Sequence, residues 1–199
     1  MSTVILDTEY TSWEGAYQRG WSGDGEHREL VQISAIKILN LETLNKTEFF
    51  SFYTKPRVNP QLSDYFINLT GISQHMVDAN GVEIIDAINS FVDFSAGCNC
   101  LSWDNDISII EENISLLHEK PVLRIRKNID IRGLFTKYGI DCSTISSGQI
   151  DSLLDGPSVI KPGQSHNALS DCVSILSAIT KLATNHGYSN IIESINSLG

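Results

Sequence analysis

Two acids separated by one residue, Asp7 and Glu9, close the stretch VILDTEYT near the start of the chain. Val4, Ile5 and Leu6 before them read as a buried strand. In a strand, side chains at i and i+2 point the same way, so both carboxylates leave one side of the sheet together. Like charges held that close repel, and a hard divalent cation such as Mg²⁺, whose preferred ligands are carboxylate oxygens, relieves the repulsion. A lone Asp-x-Glu is more often an acidic solvated turn. What raises this one to a candidate metal site is another acid far along the chain. Asp171, in HNALSDCVSILSAITKLA, lies beside the apolar helical stripe of Ala168, Cys172, Ile175, Ile179 and Leu182 rather than opposite it. That position buries it at least in part. An unpaired buried carboxylate is costly, so Asp171 should be protonated, hydrogen-bonded, salt-bridged or bound to metal. His166 stands in the loop just before the same helix. Imidazole exchanges a proton readily near neutral pH, which makes His166 a candidate base beside a metal-binding acid.

The elements that must position these groups follow from periodicity and punctuation. TSWEGAYQRGWSGDGEHRE, after Glu9, is too rich in Gly for a continuous helix or strand and reads as a long loop beside the acids. Tyr10, Trp13, Trp21, Arg19 and Arg28 give it faces that stack on nucleic-acid bases, or that pin the loop to itself. LVQISAIKI (30–38) and TEFFSFY (47–53) read as strands, and the short polar link between them predicts an antiparallel meander with the acid-bearing strand. The pattern turns helical from Gln61, breaks at LTGISQHMVDANG (69–81) and resumes in VEIIDAINSFVDF. CNCLSW reads as a strand, DNDISIIEENISLLHEK as a helix with Ile110, Ile114 and Leu117 on one face, NIDI as a further strand and RGLFTKY as a short helix. A small helix around 149–154 precedes the final helix. The sum is an α/β sheet of mixed direction flanked by helices.

Size and composition set the frame. A chain of 199 residues predicts one domain spanning 1–199. No stretch approaches the ~18 apolar residues of a membrane span, so no membrane partner is expected. MSTVILDTEY lacks a basic segment followed by an apolar one, and a cytoplasmic protein is expected. Cys98, Cys100, Cys142 and Cys172 form no CxxC pair and read as free thiols. With 24 acids against 14 Lys and Arg the formal charge is -10, which opposes an extensive grip on a nucleic-acid backbone. Any nucleic-acid substrate must be held locally.

LDTEYT, SWDNDISII and HNALSD, in that order, resemble the DEDDh group of DnaQ-like 3'-5' exonucleases. The likeness continues through WEG, EHRELVQISAIKI and LSDYFINLTGIS and covers most of the chain. It is nearest to the branch holding KapD-like proteins and RNA-trimming exonucleases. The resemblance implies a ribonuclease H-like fold, a five-stranded mixed sheet with three antiparallel strands first. It also implies catalysis with two divalent ions, Mg²⁺ or Mn²⁺, that releases nucleoside 5'-monophosphates from single-stranded 3' ends of RNA or DNA. By the same resemblance Asp7 bridges both ions, Glu9 and Asp171 complete the first, Asp106 holds the second and His166 takes the proton from water. Thr8, Tyr10 and Trp13, with Leu69, Thr70, Gly71 and Ile72, are the substrate-binding residues it implies. Asp106 is preferred over Asp104 because it continues the stripe of Ile110, Ile114 and Leu117, whereas Asp104 falls off it and suits a helix N-cap. The alternative from another class is a regulatory or nucleic-acid-binding protein that keeps the fold without turnover. Every family position is filled by a suitable residue type, which favours the enzyme.

Overall fold

The computed structural model describes residues 2–40, 42, 44, 46–158 and 166–198. β1 (Thr3–Tyr10), β2 (Leu30–Ile38) and β3 (Thr47–Lys55) pair antiparallel in sequence order, as short links require. Two helices of seven residues follow, α1 (Asp64–Thr70) and α2 (Gln74–Asn80), then β4 (Val82–Glu83) and α3 (Ile84–Phe94). β5 (Asn99–Ser102), α4 (Asp106–Leu116), β6 (Lys127–Asp130) and α5 (Arg132–Lys137) complete the sheet. A 3₁₀ turn (Ser147–Leu153), α6 (Ala168–His186) and α7 (Tyr188–Ser197) end the chain. The strand order is β4-β3-β2-β1-β5-β6, with β5 parallel to β1 and β6 parallel to β5.

β1 is central and covered on both faces, which is why it begins as an unbroken apolar run. Its alternation sorts the two layers. Val4 and Leu6 pack with Ile33, Ile88, Phe91 and Ile110 under α3 and α4. Ile5 packs with Ile36, Cys172, Ile175 and Ile179 under α6. Cys172 sits where α6 crosses the sheet, its Sγ 3.6 Å and 3.5 Å from the carbonyls of Ile5 and Ser34. All four cysteines are free. No described helix is long and apolar enough to cross a membrane.

Three features differ from the sequence expectation. The sheet has six strands, not five, because Val82–Glu83 pairs with Thr54 and Lys55 of β3. Two residues carry no period, so β4 merges into the apolar pattern of α3. The stretch 69–81 is not a break but the end of α1 and the whole of α2. Its glycines are the caps, Gly71 in the left-handed region at φ 73° after α1 and Gly81 after α2. Finally, α6 is followed by α7, which starts directly after Gly187.

A third apolar cluster of Val31, Leu62, Phe66, Ile72 and Val77 seats α1 and α2 beside the long loop. Glu29, fully buried, fixes the approach to them. Its carboxylate accepts the backbone N–H groups of Arg57 (2.7 Å), Val58 (2.9 Å) and Asn59 (2.6 Å). On the opposite side of the sheet, the 3₁₀ turn is held to α6 by Lys181, whose ammonium reaches Asp151 Oδ1 at 2.8 Å, the Asp151 carbonyl at 2.8 Å and the Leu154 carbonyl at 3.2 Å. Burial alone would raise the Asp151 carboxyl, but Lys181 and the Ser158 hydroxyl more than offset it and hold it below its usual range. Lys181→Ala leaves that carboxylate enclosed without its cation and is expected to cost roughly 3–5 kcal/mol in urea or guanidinium unfolding. Because the folded value is depressed, the pair's contribution is present above the unfolded Asp value and is lost as pH falls through the folded one. A loss below about 1 kcal/mol would show the pair to be dispensable.

Candidate active site

β5 stops at Ser102, opposite Leu6, so the last four residues of β1 run on past the end of their parallel neighbour. Ligands of open α/β sheets bind at such carboxyl ends. Here the chain leaves β5 through Trp103, Asp104 and Asn105 and enters α4 at Asp106, while α6 begins on the other face. Side chains from both layers therefore meet around the end of β1 in a cleft of about 400 Å³.

Strand alternation decides which group faces which helix. Thr8 follows Leu6 toward α4, and both its backbone N–H (3.0 Å) and its hydroxyl (2.6 Å) donate to Asp106 Oδ1. Asp7 and Glu9 follow Ile5 toward α6. There the Ser147 hydroxyl, from the 3₁₀ turn, donates to Asp171 Oδ2 at 2.7 Å. Asp106 and Asp171 are thus each tethered by one oxygen, and each leaves its other oxygen buried with no hydrogen-bond partner among the described residues. Glu9, His166 and Asp171 offer ligand atoms that all lie within 4.8 Å of one another.

This crowding dominates the electrostatics. Asp7 is pushed well above the usual carboxylate range, first by burial and then by the charges of Asp106, Asp171 and Glu9, with Ser147 offsetting part. Glu9 is raised by burial and by Asp171 and Asp106. Burial raises Asp106 to about 7 despite both Thr8 hydrogen bonds, and it raises Asp171 despite the Ser147 hydroxyl and the charge of His166. Carboxylates in that state, two of them with an orphaned oxygen, are a donor set for hard divalent cations. Asp7, Glu9, Asp106 and Asp171 could hold such ions.

Asp106, 8% exposed, is the acid that α4 delivers, and Ile110 continues its buried face. Asp104 is not the N-cap. That position belongs to Asn105, which makes no side-chain capping bond. The exposed Asp104 carboxylate instead reaches Arg132 at 2.8 Å, with its backbone turned left-handed at φ 70°. Such a φ is incompatible with the extended backbone of a capping residue.

Of the expected substrate residues, Thr8, Tyr10 and Leu69 line the cleft and Trp13 does not. Thr70, Gly71 and Ile72 do not line it either, because LTGI is the C-terminus of α1. Thr70 is buried, donating to the Phe66 carbonyl (2.9 Å) and accepting from Ile72 N–H (3.0 Å); Gly71 is the cap; Ile72 is core. Trp21, one of the expected stacking faces, also lines the cleft, and Tyr17, Tyr65, Trp103 and Ser147 line it without having been singled out as substrate residues. The aromatics had a signal, since they sit in or next to the motif loops; Ser147 had none. The long loop is also pinned by the same aromatics. Trp21 stacks tilted on Tyr10 at 5.5 Å and donates from Nε1 to the Thr11 carbonyl at 3.2 Å.

Residues 4–178 match the family model RNase_T, described as Exonuclease. The chain belongs to this exonuclease family. Two relatives are similar over shorter stretches: ERI1 exoribonuclease 2 of Xenopus laevis, 32% identical over 90 residues, and 3'-5' exoribonuclease 1 of Homo sapiens, 42% identical over 50 residues. Those stretches cover 44% and 25% of this chain but only 12% and 14% of the relatives. The fold is also that of the nuclease domain of 3'hExo, a DEDDh family member bound to rAMP. The TM-score is 0.76 at 23% identity, covering 94% of each chain.

Two outcomes are expected. Asp106→Asn should lower turnover roughly 10²-fold or more, because it removes a charge where cations would bind. Asp104→Asn, which tolerates a left-handed backbone, should change stability by less than about 1 kcal/mol and keep most turnover. Parallel rate and denaturation measurements on both variants check this, and the reverse ranking would assign the site to Asp104. The second concerns pH in chelator. For Asp106 the folded value of about 7 lies above the unfolded Asp value near 4, so the folded state binds the extra proton between them and stability falls as pH rises through that window. The melting temperature of the metal-free protein should rise as pH is lowered from about 7 toward 5, and millimolar Mn²⁺ should flatten the dependence. A metal-free melting point independent of pH would contradict the crowding.

Proposed function

We propose that the chain is a metal-dependent 3'-5' exonuclease, residues 1–199 acting as a single domain that releases nucleoside 5'-monophosphates from single-stranded 3' ends of RNA or DNA. The observation that carries this is the convergence of Asp7, Glu9, Asp106 and Asp171 with His166 in one aromatic cleft, from elements far apart in sequence. The acids fit two Mg²⁺ or Mn²⁺ ions: Asp7, Glu9 and Asp171 would hold the first, and Asp106 together with Asp7 would hold the second. When bound, such ions activate water, stabilise the leaving oxygen and neutralise the carboxylates.

The chain's own residues do the rest. His166, near Glu9 and Asp171, accepts the proton of the attacking water. Thr8 and Ser147 fix the rotamers of Asp106 and Asp171, so the reacting geometry needs no rearrangement. Tyr10, Tyr65 and Leu69 offer faces for the terminal base and sugar, a grip that single-stranded ends satisfy. All five positions, Asp7, Glu9, Asp106, Asp171 and His166, carry residue types suited to turnover, which favours the enzyme over a binding protein that had lost it.

The test is digestion of 5'-labelled and 3'-labelled single-stranded RNA and DNA with Mn²⁺ or Mg²⁺ against a chelator control. Expected are mononucleotides released stepwise from the 3' end, and none in chelator. Internal cleavage or digestion surviving chelation would overturn the proposal. His166→Ala should lower the rate roughly 10²- to 10⁴-fold while calorimetric metal affinity is nearly unchanged. Collapse of both together would make His166 a ligand instead.

A further inference from the structure

The cleft has two lobes. The larger, about 400 Å³, runs between the end of β1 and α1, past Tyr65 and Leu69. A smaller one, about 230 Å³, extends toward Arg28 and Ser108. They share Tyr10, Trp103, Asp104 and Asp106, so one of the acids stands at their junction. A pocket of roughly 300–1,000 Å³ encloses one drug-sized ligand. On that scale the larger lobe accommodates one nucleotide and the smaller only part of the next. Their walls carry flat aromatic faces, on which any base can stack.

Among the described residues that line either lobe, Arg28 is the one Lys or Arg. Its guanidinium lies 5.9 Å from the Tyr10 ring and 5.4 Å from the Trp21 ring and is ion-paired with Glu112. Elsewhere Arg19 is paired with Glu26, Arg57 with Glu83, and Arg132 with both Asp104 and Asp130. The segment 159–165, outside the described residues, adds Lys161 as its one basic residue, and the chain as a whole carries -10. The net charge of the chain therefore opposes an extended grip on phosphates beyond the cleft.

We propose that this site takes single-stranded oligonucleotides without regard to their length: the terminal nucleotide and part of the next fill the cleft, held by base stacking rather than by neutralisation of a run of phosphates. This rests on the exonuclease reading above. Nucleotides upstream of the second contribute no binding, so an oligonucleotide of three residues is as good a substrate as one of twenty. Salt dependence follows from the same geometry. Each neutralised phosphate of a single strand contributes about -0.7 to the slope of log K against log salt. One or two contacts give a slope shallower than about -1.5, whereas a strand tracked over six phosphates gives about -4.

The experiment uses the full chain with Mn²⁺ and 5'-labelled RNA and DNA series of about 2, 3, 5, 10 and 20 nucleotides, with kcat/KM measured at several salt concentrations. Expected is a kcat/KM that changes less than about fivefold from 3 to 20 nucleotides, with a shallow salt slope on the longest. Tyr65→Ala should lower it by the same factor, roughly 5- to 100-fold, at 3 and at 20 nucleotides. A rise beyond fivefold with length, a slope steeper than about -1.5, or a Tyr65→Ala loss seen only on short substrates would each overturn the inference while leaving the exonuclease reading intact. Absence of hydrolysis at every length would overturn that reading, and this inference with it.

Discussion

Mutual repulsion among carboxylates at the open end of β1 is the constraint on which the rest of the structure depends. Asp7, Glu9, Asp106 and Asp171 are brought together with little water around them, and each is driven above its ordinary range of protonation. Left to itself such a cluster would push its elements apart or stay protonated. What prevents separation is the apolar interior beneath it. β1 is buried between two layers, with α4 anchored by Ile107 and Ile110 on one side and α6 by Cys172, Ile175 and Ile179 on the other. The free energy that holds like charges in contact comes from burial of these side chains. The site is thus a destabilised region on a stable scaffold, and cation binding would relieve it.

A cluster of this kind works only if each carboxylate is held to one orientation, and the surrounding polar contacts are arranged to do that. Thr8 holds Asp106 through both backbone and hydroxyl. Ser147 holds Asp171, and the turn that carries Ser147 is locked to α6 by the buried Asp151 and Lys181 pair. The N-terminus of α6 is tied to the sheet by Ala168 N–H donating to Gln32 Oε1 at 3.0 Å. In each case the anchor uses one oxygen or one N–H and leaves the functional atom free. Removing an anchor would therefore loosen the site without touching its ligands, which is how residues outside a metal site affect it.

The parts of this arrangement that were legible in the sequence are those with a strong local period or a fixed spacing. β1, β2, β3 and the long helix α6 announce themselves by apolar patterning, and the acids Asp7, Glu9 and Asp171 by their places on it. Asp106 was legible through its register with Ile110. The rest depended on tertiary contact. Thr70, Gly71 and Ile72 looked like substrate residues because of their motif, yet the backbone needs of a helix end and a satellite core occupy all three. β4 is two residues long and has no period to read. Ser147 reaches Asp171 across a separation of 24 residues and nothing in its neighbourhood marks it. Asp104 satisfied the composition rule for a cap, but Arg132 and a left-handed backbone claimed it.

That left-handed backbone has a counterpart. Asp104 at φ 70° stands two residues before α4, and His166 at φ 60° stands two residues before α6. The conformation costs a non-glycine residue on the order of 1–2 kcal/mol and persists only where the surroundings over-determine it. Glycine would adopt it freely, so the two positions keep their side chains against a local preference. Both helices deliver an acid from their first turn to the end of the same strand, Asp106 from α4 and Asp171 from α6. In both places the reversal sits immediately ahead of the first turn that carries the acid. At the second reversal the residue that bends the chain is also the imidazole beside Glu9 and Asp171. A glycine there would ease the turn and remove that imidazole, so the left-handed His166 keeps its side chain beside the acids at the expense of the turn.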